Sequence, residues 1–257
     1  MRILAIGDVV GKPGRQAVAA LLPELRRERG YHLVVCNGEN AAGGNGLTAA
    51  TAMELRAAGC DVLTNGNHVW DQRQFIGEIA ALDYCVRPLN LDRAAPGRGW
   101  IVCKGVLVMN AIGRVFMAEV DNPYRAVDAL LEELGPDAPP VRLLDWHAEA
   151  TSEKVAMGFH LDGRMSAVVG THTHVATADA RVLVRGTAFV SDIGMVGPRE
   201  SVLGLAPEEI VGRFLDGMPR RFRVAEGPVQ FNAVEIDVDE ASGRARSITR
   251  VDRLVEV

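Results

Sequence analysis

The chain contains the stretch Ala167-Val168-Val169-Gly170-Thr171-His172-Thr173-His174, which begins as an apolar, β-branched run and ends in two histidines. The apolar run is typical of a buried strand. Residues two positions apart in extended chain point to the same side, so we expect His172 and His174 on one side of a strand end. Two imidazoles in that arrangement either bind a metal ion or are polar residues of a loop. The stretch alone leaves both interpretations open.

Three earlier parts of the chain repeat the pattern of a short apolar strand followed by polar residues. Strands are predicted at 3–6, 33–36 and 61–64, and they are followed by Gly7-Asp8, Asn37-Gly38-Glu39-Asn40 and Asn65-Gly66-Asn67-His68. A helical pattern follows each strand: 13–29, then a helix capped by Thr48, then one capped by Asp71. This alternation predicts an α/β fold, in which ligands bind at the carboxyl ends of the strands.

The remaining pattern is less regular but continues the alternation. Strands are predicted at 84–87, 100–102, 106–109, 141–147, 181–184, 187–190, 229–238 and 245–255, and helices at 124–134, 151–160 and 207–215. The strand at 141–147 again ends in a histidine, His147. The sequence has no internal repeat, low-complexity tract or clear linker, so we predict one domain over residues 1–257.

Composition limits the classes of function. The chain has 257 residues, 48% of them hydrophobic and 24% charged, with a net charge of −5. These values are ordinary for a globular protein and give no electrostatic reason to expect a stable nucleic-acid partner. The four cysteines have no C-x-x-C spacing, the apolar run at residues 1–8 is too short to predict a signal peptide, and no apolar run approaches the length of a membrane span. We therefore predict a cytoplasmic protein with reduced thiols and no membrane partner.

Two nucleotide-binding motifs are excluded at the first strand. In Gly7-Asp8-Val9-Val10-Gly11-Lys12-Pro13 the glycine spacing is one residue short of a phosphate loop, and Pro13 stands where Ser or Thr would bind magnesium. No G-x-G-x-x-G follows that strand, which argues against a dinucleotide site.

The polar residues at the predicted strand ends form a set of oxygen and nitrogen donors. They are Asp8, Glu39, Asn40, Asn67, His68, His147, His172 and His174. Such donors without a thiolate suit Mn²⁺, Fe²⁺ or Zn²⁺. The set is too large for one tetrahedral ion and about right for two ions that share a bridging carboxylate. Paired ions can hold both the attacking and the leaving oxygen of a displacement at phosphorus.

The order of these blocks carries a family resemblance. Gly7-Asp8, Gly38-Glu39-Asn40, Gly66-Asn67-His68 and His172-Thr173-His174 resemble the motifs of the calcineurin-like metallophosphoesterases. The longer strings around them, together with Ser191-Asp192-Ile193-Gly194-Met195, resemble the YmdB-type phosphodiesterases over about residues 2–200. The resemblance implies a two-sheet αββα sandwich of the metallophosphoesterase type, with the metal site at the strand C-terminal ends.

The resemblance also implies a role for each residue of the set. The two ligand sets share Glu39: Asp8, Glu39, Asn40 and His174 for one ion, and Glu39, Asn67, His147 and His172 for the other. His68 would be the catalytic residue that stabilises charge or protonates the leaving oxygen, and a metal-bridging hydroxide would be the nucleophile. The implied substrates are cyclic nucleotides such as 2′,3′- or 3′,5′-cAMP, and the implied assembly is a homo-oligomer.

The chain departs from the wider superfamily at the first two blocks. The first block usually has a histidine where this chain has Val10, and the second usually has an aspartate where this chain has Glu39 followed by Asn40. We hypothesise that Asn40 replaces the lost histidine, which favours iron or manganese over zinc. Asp192 either orients a ligand histidine from behind or is a turn aspartate. His147 is either a ligand or a core histidine.

Two other functions remain open at this level. The same centre could act as a phosphomonoesterase or a nuclease. Alternatively, the protein could be a regulatory metalloprotein that acts mainly through partner binding.

Overall fold

A computed structural model describes residues 1–256 as two large β-sheets packed face to face, with helices outside and a third, smaller sheet at one side. The strands are β1 Arg2–Ile6, β2 Asp8–Val9, β3 Leu33–Asn37, β4 Val62–Thr64, β5 Trp100–Cys103, β6 Val106–Ile112, β7 Val141–His147, β8 Ala167–Thr171, β9 Arg181–Val182, β10 Ala188–Val190, β11 Met195–Pro198, β12 Val229–Phe231, β13 Ala233–Val238, β14 Ala245–Arg250 and β15 Arg253–Val255. The helices are α1 Gly11–Arg29, α2 Ala49–Ala58, α3 Phe75–Glu78, α4 Pro123–Leu134, α5 Thr151–Leu161 and α6 Pro207–Asp216. Val257 lies outside the described residues, and one domain over residues 1–257 stays a prediction.

The two large sheets each have a parallel centre. The first sheet has the order β14-β13-β1-β3-β4, in which β1, β3 and β4 are parallel. The second has the order β5-β6-β7-β8-β10-β9, in which β6, β7, β8 and β10 are parallel. The carboxyl ends of parallel strands lie at one edge of a sheet, where open α/β sheets bind their ligands.

Three groups of buried apolar residues hold the layers together. One group joins the facing surfaces of the two large sheets, for example Ile3 and Leu33 with Val106 and Leu143. A second packs α1 and α2 on the outer face of the first sheet, and a third packs α4 and α5 on the outer face of the second. The predicted αββα sandwich is therefore confirmed.

Local signals located most helix ends correctly. Thr48 caps α2, since its hydroxyl accepts a hydrogen bond from the backbone N of Thr51 at 3.2 Å. α1 begins at Gly11, two residues before the predicted start, and ends at Gly30 in the left-handed conformation. Asp71, however, caps no helix, because α3 begins only at Phe75.

The smaller sheet was not predicted from the sequence. It has the order β15-β12-β11-β2. The predicted strand at 229–238 is interrupted at Asn232, so that β12 joins the small sheet and β13 the first large sheet. The predicted partner at 245–255 divides in the same way into β14 and β15. Each of these two stretches, 229–238 and 245–255, therefore contributes one strand to the small sheet and one to the first large sheet.

Gly7 takes the chain from the first large sheet into the small sheet. Its backbone N donates to Asn232 O at 3.0 Å, and the next residue, Asp8, donates its N to Gly194 O at 3.1 Å. A Cβ on Gly7 would lie only 1.9 Å from Gly194 O. This close backbone approach sets the position of Asp8 at the start of β2.

No helix within residues 1–256 has both the length and the apolar character that crossing a bilayer requires.

We expect a Gly7→Ala substitution to lower the free energy of unfolding by about 3 kcal/mol, because the added methyl overlaps a backbone oxygen that cannot move away. Urea denaturation measures the change. Gly77→Ala is the matched control, since a Cβ there meets nothing within 4 Å, and its effect should stay within about 1 kcal/mol. Equal stability of the Gly7→Ala variant and the unmodified chain would contradict the role given to this crossing.

Candidate metal centre

The structure brings the eight predicted site residues to one edge, where parallel strands of both large sheets end. Asp8 follows β1, Glu39 and Asn40 follow β3, Asn67 and His68 follow β4, His147 ends β7, and His172 and His174 follow β8. Each of the eight residues has an atom within 3.8 Å of a polar atom of another member of the set. Residues far apart in sequence thus share one pocket.

Four atoms that can bind a cation meet around the ring of His147. Its Nε2 lies 3.0 Å from Glu39 Oε1, 2.9 Å from Asn67 Oδ1 and 3.0 Å from Nδ1 of His172. The backbone of Gly66 makes room for this cluster, because a Cβ there would lie 2.3 Å from His147 Nε2 and 2.5 Å from Glu39 Oε2. Glu39, His147 and His172 form a group of side chains spaced to hold one metal ion.

In His147 and His172, the ring nitrogen that points away from the cluster has a hydrogen-bond acceptor beside it, and this acceptor indicates which nitrogen carries the proton. Nδ1 of His147 lies 2.9 Å from Thr171 Oγ1, and that hydroxyl donates to Asp145 Oδ1 at 2.6 Å. The hydroxyl therefore accepts from Nδ1–H of His147, which leaves the lone pair on Nε2. Nε2 of His172 lies 3.1 Å from Glu149 Oε2, which leaves the lone pair on Nδ1. Both lone pairs thus face the centre of the cluster.

The pKa values indicate that the cluster stabilises positive charge. Burial by itself raises the pKa of Glu39, but the neighbouring His147 and His68 lower it below its usual value. Burial lowers the pKa of His147, but the carboxylates of Glu39, Asp8 and Asp145 raise it above its usual value. Burial and the charge of His147 lower the pKa of His172 to about 3. A cation at this place would meet the same carboxylates and neutral imidazole.

A second group of donors lies beside the first, around the side chain of Asp8. Asp8 is fully buried, and its Oδ1 has no hydrogen-bond partner among the described residues. That oxygen lies 3.8 Å from Nε2 of His174, while Oδ2 accepts from the backbone N of His172 at 3.2 Å. Burial raises the pKa of Asp8 to about 6, although His174 and His147 lower it. A buried carboxylate oxygen without a donor fits a site for a cation.

His174 and Asn40 complete this second group. Nδ1 of His174 lies 2.9 Å from Leu203 O, so the ring donates there and its Nε2 lone pair faces Asp8. Asn40 Nδ2 lies 3.2 Å from that Nε2 and 3.4 Å from Glu39 Oε1. Asn40 is therefore located between the two groups, and the amide must turn its oxygen inward to bind a cation.

His68 lies beside these groups at the wall of an open cavity. Its backbone N donates to Glu39 Oε2 at 3.0 Å, and its Nδ1 lies 2.8 Å from Asp71 Oδ2. The cavity has a volume of about 310 Å³. It is lined by Val10, Glu39, Asn40, Gly44, Asn45, His68, Glu149, His172, Thr173, His174, Leu203 and Leu205. Because Asp71 accepts from Nδ1, the other ring nitrogen of His68 is left for a ligand.

Sequence reasoning missed four groups that hold the histidines. These groups are Asp71, Glu149, the hydroxyl of Thr171 and the carbonyl of Leu203. Asp71 follows His68 by three residues and Glu149 follows His147 by two, so their spacing offered a weak signal. A backbone carbonyl has no sequence signal, and only the fold places Leu203 beside His174.

Comparisons with known proteins agree with the blocks described above. A family model described as "YmdB-like protein" matches residues 4–251. A Bacillus subtilis protein named "2',3'-cyclic-nucleotide 2'-phosphodiesterase" is 44% identical over 98% of this chain and 96% of its own length. The crystal structure of a hypothetical protein from Thermus thermophilus is 43% identical, with a TM-score of 0.92 over 99% of both chains.

A further solved structure extends the comparison to a more distant relative. The crystal structure of a novel phosphatase from Mycoplasma pneumoniae is 30% identical, with a TM-score of 0.92 over 100% of this chain and 94% of its own. The predicted enzyme class, a metal-dependent phosphoric diester hydrolase, is confirmed at the level of the family. The chain belongs to the YmdB-like family of metallophosphoesterases.

Proposed function

We propose that the chain is a binuclear-metal-dependent phosphodiesterase that hydrolyses a small cyclic nucleotide. The observation that carries the proposal is the cluster of facing lone-pair atoms around His147 beside the unpartnered oxygen of Asp8. Asp8, Glu39 and His147 are buried, whereas His172 and His174 face the cavity, and the two groups meet at Glu39 and Asn40. Two cations would supply the positive charge that these acceptor atoms require.

The sign of the charge in the pocket supports the need for metal. Glu39 and Glu149 line the pocket, and Asp8 is buried beside it, with Oδ1 3.8 Å from Nε2 of His174. Three carboxylates would repel a phosphodiester, which is itself an anion. Two divalent cations reverse that sign and would polarise the phosphoryl group and supply an activated water as nucleophile.

The two ligand sets inferred from the sequence fit the two groups of donors. Glu39, Asn67, His147 and His172 would hold one ion, and Asp8, Glu39, Asn40 and His174 would hold the other. Both sets are rich in oxygen and imidazole nitrogen, so iron or manganese is proposed, with zinc as the alternative. Glu39 is the shared ligand because it is adjacent to both groups.

His68 is the proposed catalytic residue. Asp71 accepts from its Nδ1 and so sets the orientation of the ring beside the cavity. In the reaction the oxygen of a water, which gives up one proton to solvent, would form a bond to phosphorus while the P–O2′ bond of the ring breaks. His68 would donate a proton to the leaving O2′, which gives a ribose hydroxyl and a 3′-phosphate.

A 2′,3′-cyclic nucleotide is the proposed substrate because the Bacillus subtilis relative is named for that activity. The cavity of about 310 Å³ is at the small end of ligand pockets, which suits a mononucleotide. Leu203 and Leu205 in its wall offer an apolar surface for a base. Activity on 3′,5′-cAMP, a cytoplasmic location and a homo-oligomeric state stay predictions.

We expect the chain, loaded with Mn²⁺ or Fe²⁺ and desalted, to retain two ions, and the Asn40→Ala variant to retain about one. The reason is that the side-chain amide of Asn40 lies within hydrogen-bond distance of Nε2 of His174 and of Glu39 Oε1, and so belongs to the group around His174. Plasma mass spectrometry of the desalted protein measures the ion count. Asn45→Ala is the control, since Asn45 lines the same cavity away from both groups. Two retained ions in Asn40→Ala would exclude Asn40 as a ligand.

We expect His68→Ala to lower kcat on 2′,3′-cAMP by about 10²- to 10⁴-fold while the metal content stays unchanged, because a general acid is lost and no ligand is removed. Chromatography of the nucleotide products measures the rate. His160→Ala serves as control, since His160 is exposed and pairs with Asp128 far from the cavity.

Turnover of further substrates by the metal-loaded protein distinguishes the other functions. Faster turnover of p-nitrophenyl phosphate than of its bis-ester would favour a phosphomonoesterase. Absence of hydrolysis by the fully metal-loaded protein, on cyclic nucleotides and on both nitrophenyl esters, would reject the proposed enzyme in favour of a binding protein.

A further inference from the structure

The loop that carries His172 and His174 has an unfavourable backbone. Its two histidines have φ angles of 106° and 63°. Residues with a Cβ rarely adopt this left-handed region, because the Cβ crowds the neighbouring carbonyl. Such conformations persist where the surrounding structure fixes them. Some feature of the fold must therefore hold this loop.

Lys154 of α5 contacts the loop from the side of the protein interior. Its side chain is only 2% exposed. Nζ donates to the carbonyl oxygen of Thr171 at 2.5 Å and to Asp192 Oδ2 at 3.0 Å. A buried lysine is uncommon unless it is paired, and here its charge lies just before the first histidine of the loop.

Asp192 contacts the loop on the other side of His172. It is 1% exposed and follows β10. Its Oδ2 accepts from the backbone N of Thr173 at 3.0 Å, and its Oδ1 accepts from the backbone N of Gly194 at 2.9 Å. Asp192 thus reaches the histidine loop through the backbone and through neither imidazole.

The carboxylate of Asp192 is also connected, through Gly194, to the segment that carries Asp8. Gly194, whose N donates to Asp192, accepts from the backbone N of Asp8 at 3.1 Å. The ion pair therefore links the strands that carry Asp8, His172 and His174. Such a pair is a costly way to gain stability, because burying two charges offsets most of their attraction.

We propose that Lys154 and Asp192 are positioning residues that fix the backbone of the His172–His174 loop and thereby the metal-binding geometry of both imidazoles. The pair holds Thr171 O and Thr173 N, the two backbone groups on either side of His172. The inference rests on the proposed function, since it takes both histidines as metal ligands.

The test is the double variant Lys154→Met/Asp192→Asn, which removes both charges and nearly conserves side-chain volume. We expect a folded protein by circular dichroism whose affinity for Mn²⁺ is 10- to 100-fold lower in calorimetric titration of the chelator-treated chain. A role confined to stability would lower the unfolding temperature and leave this affinity unchanged.

The matched control is Asp162→Asn. Asp162 is also a buried carboxylate that accepts from two loop nitrogens, those of Arg185 and Thr187, but at the opposite end of the second sheet. We expect this variant to lose stability and to bind Mn²⁺ as tightly as the unmodified chain.

The outcomes separate the two proposals. If the unmodified chain binds no Mn²⁺, Fe²⁺ or Zn²⁺, the proposed function fails and this inference falls with it. If the unmodified chain binds metal and the double variant binds it equally well, only the positioning role is overturned. Should the double variant not fold, Lys154→Met replaces it, because methionine removes the donor to Thr171 O and nearly conserves the side-chain volume, and an unchanged affinity there likewise overturns the proposal.

Discussion

The constraint on which the site depends is that several oxygen and nitrogen atoms with lone pairs face one another around Nε2 of His147 and require positive charge among them. Glu39 Oε1, Asn67 Oδ1 and a nitrogen of His172 all lie within about 3 Å of Nε2 of His147. In an apolar interior such an arrangement is unfavourable unless positive charge lies among the atoms. Burial lowers the pKa of His147, but Glu39, Asp8 and Asp145 raise it above its usual value, so that His147 carries a proton in the metal-free chain and binding of a metal ion would displace that proton.

Orientation of the rings is a separate requirement, and the fold meets it with different partners. The hydroxyl of Thr171, which itself donates to Asp145, accepts from His147. Glu149 accepts from His172, and the carbonyl of Leu203 accepts from His174. Each partner accepts a hydrogen bond from the N–H of one ring nitrogen, so the lone pair of a neutral imidazole stays on the other nitrogen, which faces the pocket. Thr171 belongs to a strand, whereas Glu149 and Leu203 lie in loops. The orientation of the rings therefore depends on how these strands and loops pack together at the edge of the sheets.

Local signals in the sequence located the strands, most helix ends and the ligand candidates. Apolar runs identified β1, β3 and β8, and each run ends where polar residues begin, as parallel strands predict. The small sheet and the interruption at Asn232 could not be predicted, because they depend on which sheet each half of a strand joins. The ion pair was equally hidden, since Lys154 and Asp192 are 38 positions apart in chain segments that look like an ordinary helix and turn.

Left-handed backbone occurs in this chain both at glycines and at the two histidines. The difference between these residue types explains why the loop of His172 and His174 needs stabilising contacts from other elements. At Gly43, Gly44 and Gly46, φ is positive and no side chain is required, so glycine makes the turn without steric cost. His172 and His174 cannot be replaced by glycine without losing their imidazoles. Their Cβ atoms therefore stay in a crowded conformation, and contacts from other elements must hold it. A lysine on α5 and an aspartate after β10 are positioned to supply those contacts, because α5 begins and β10 ends beside the carboxyl end of β8.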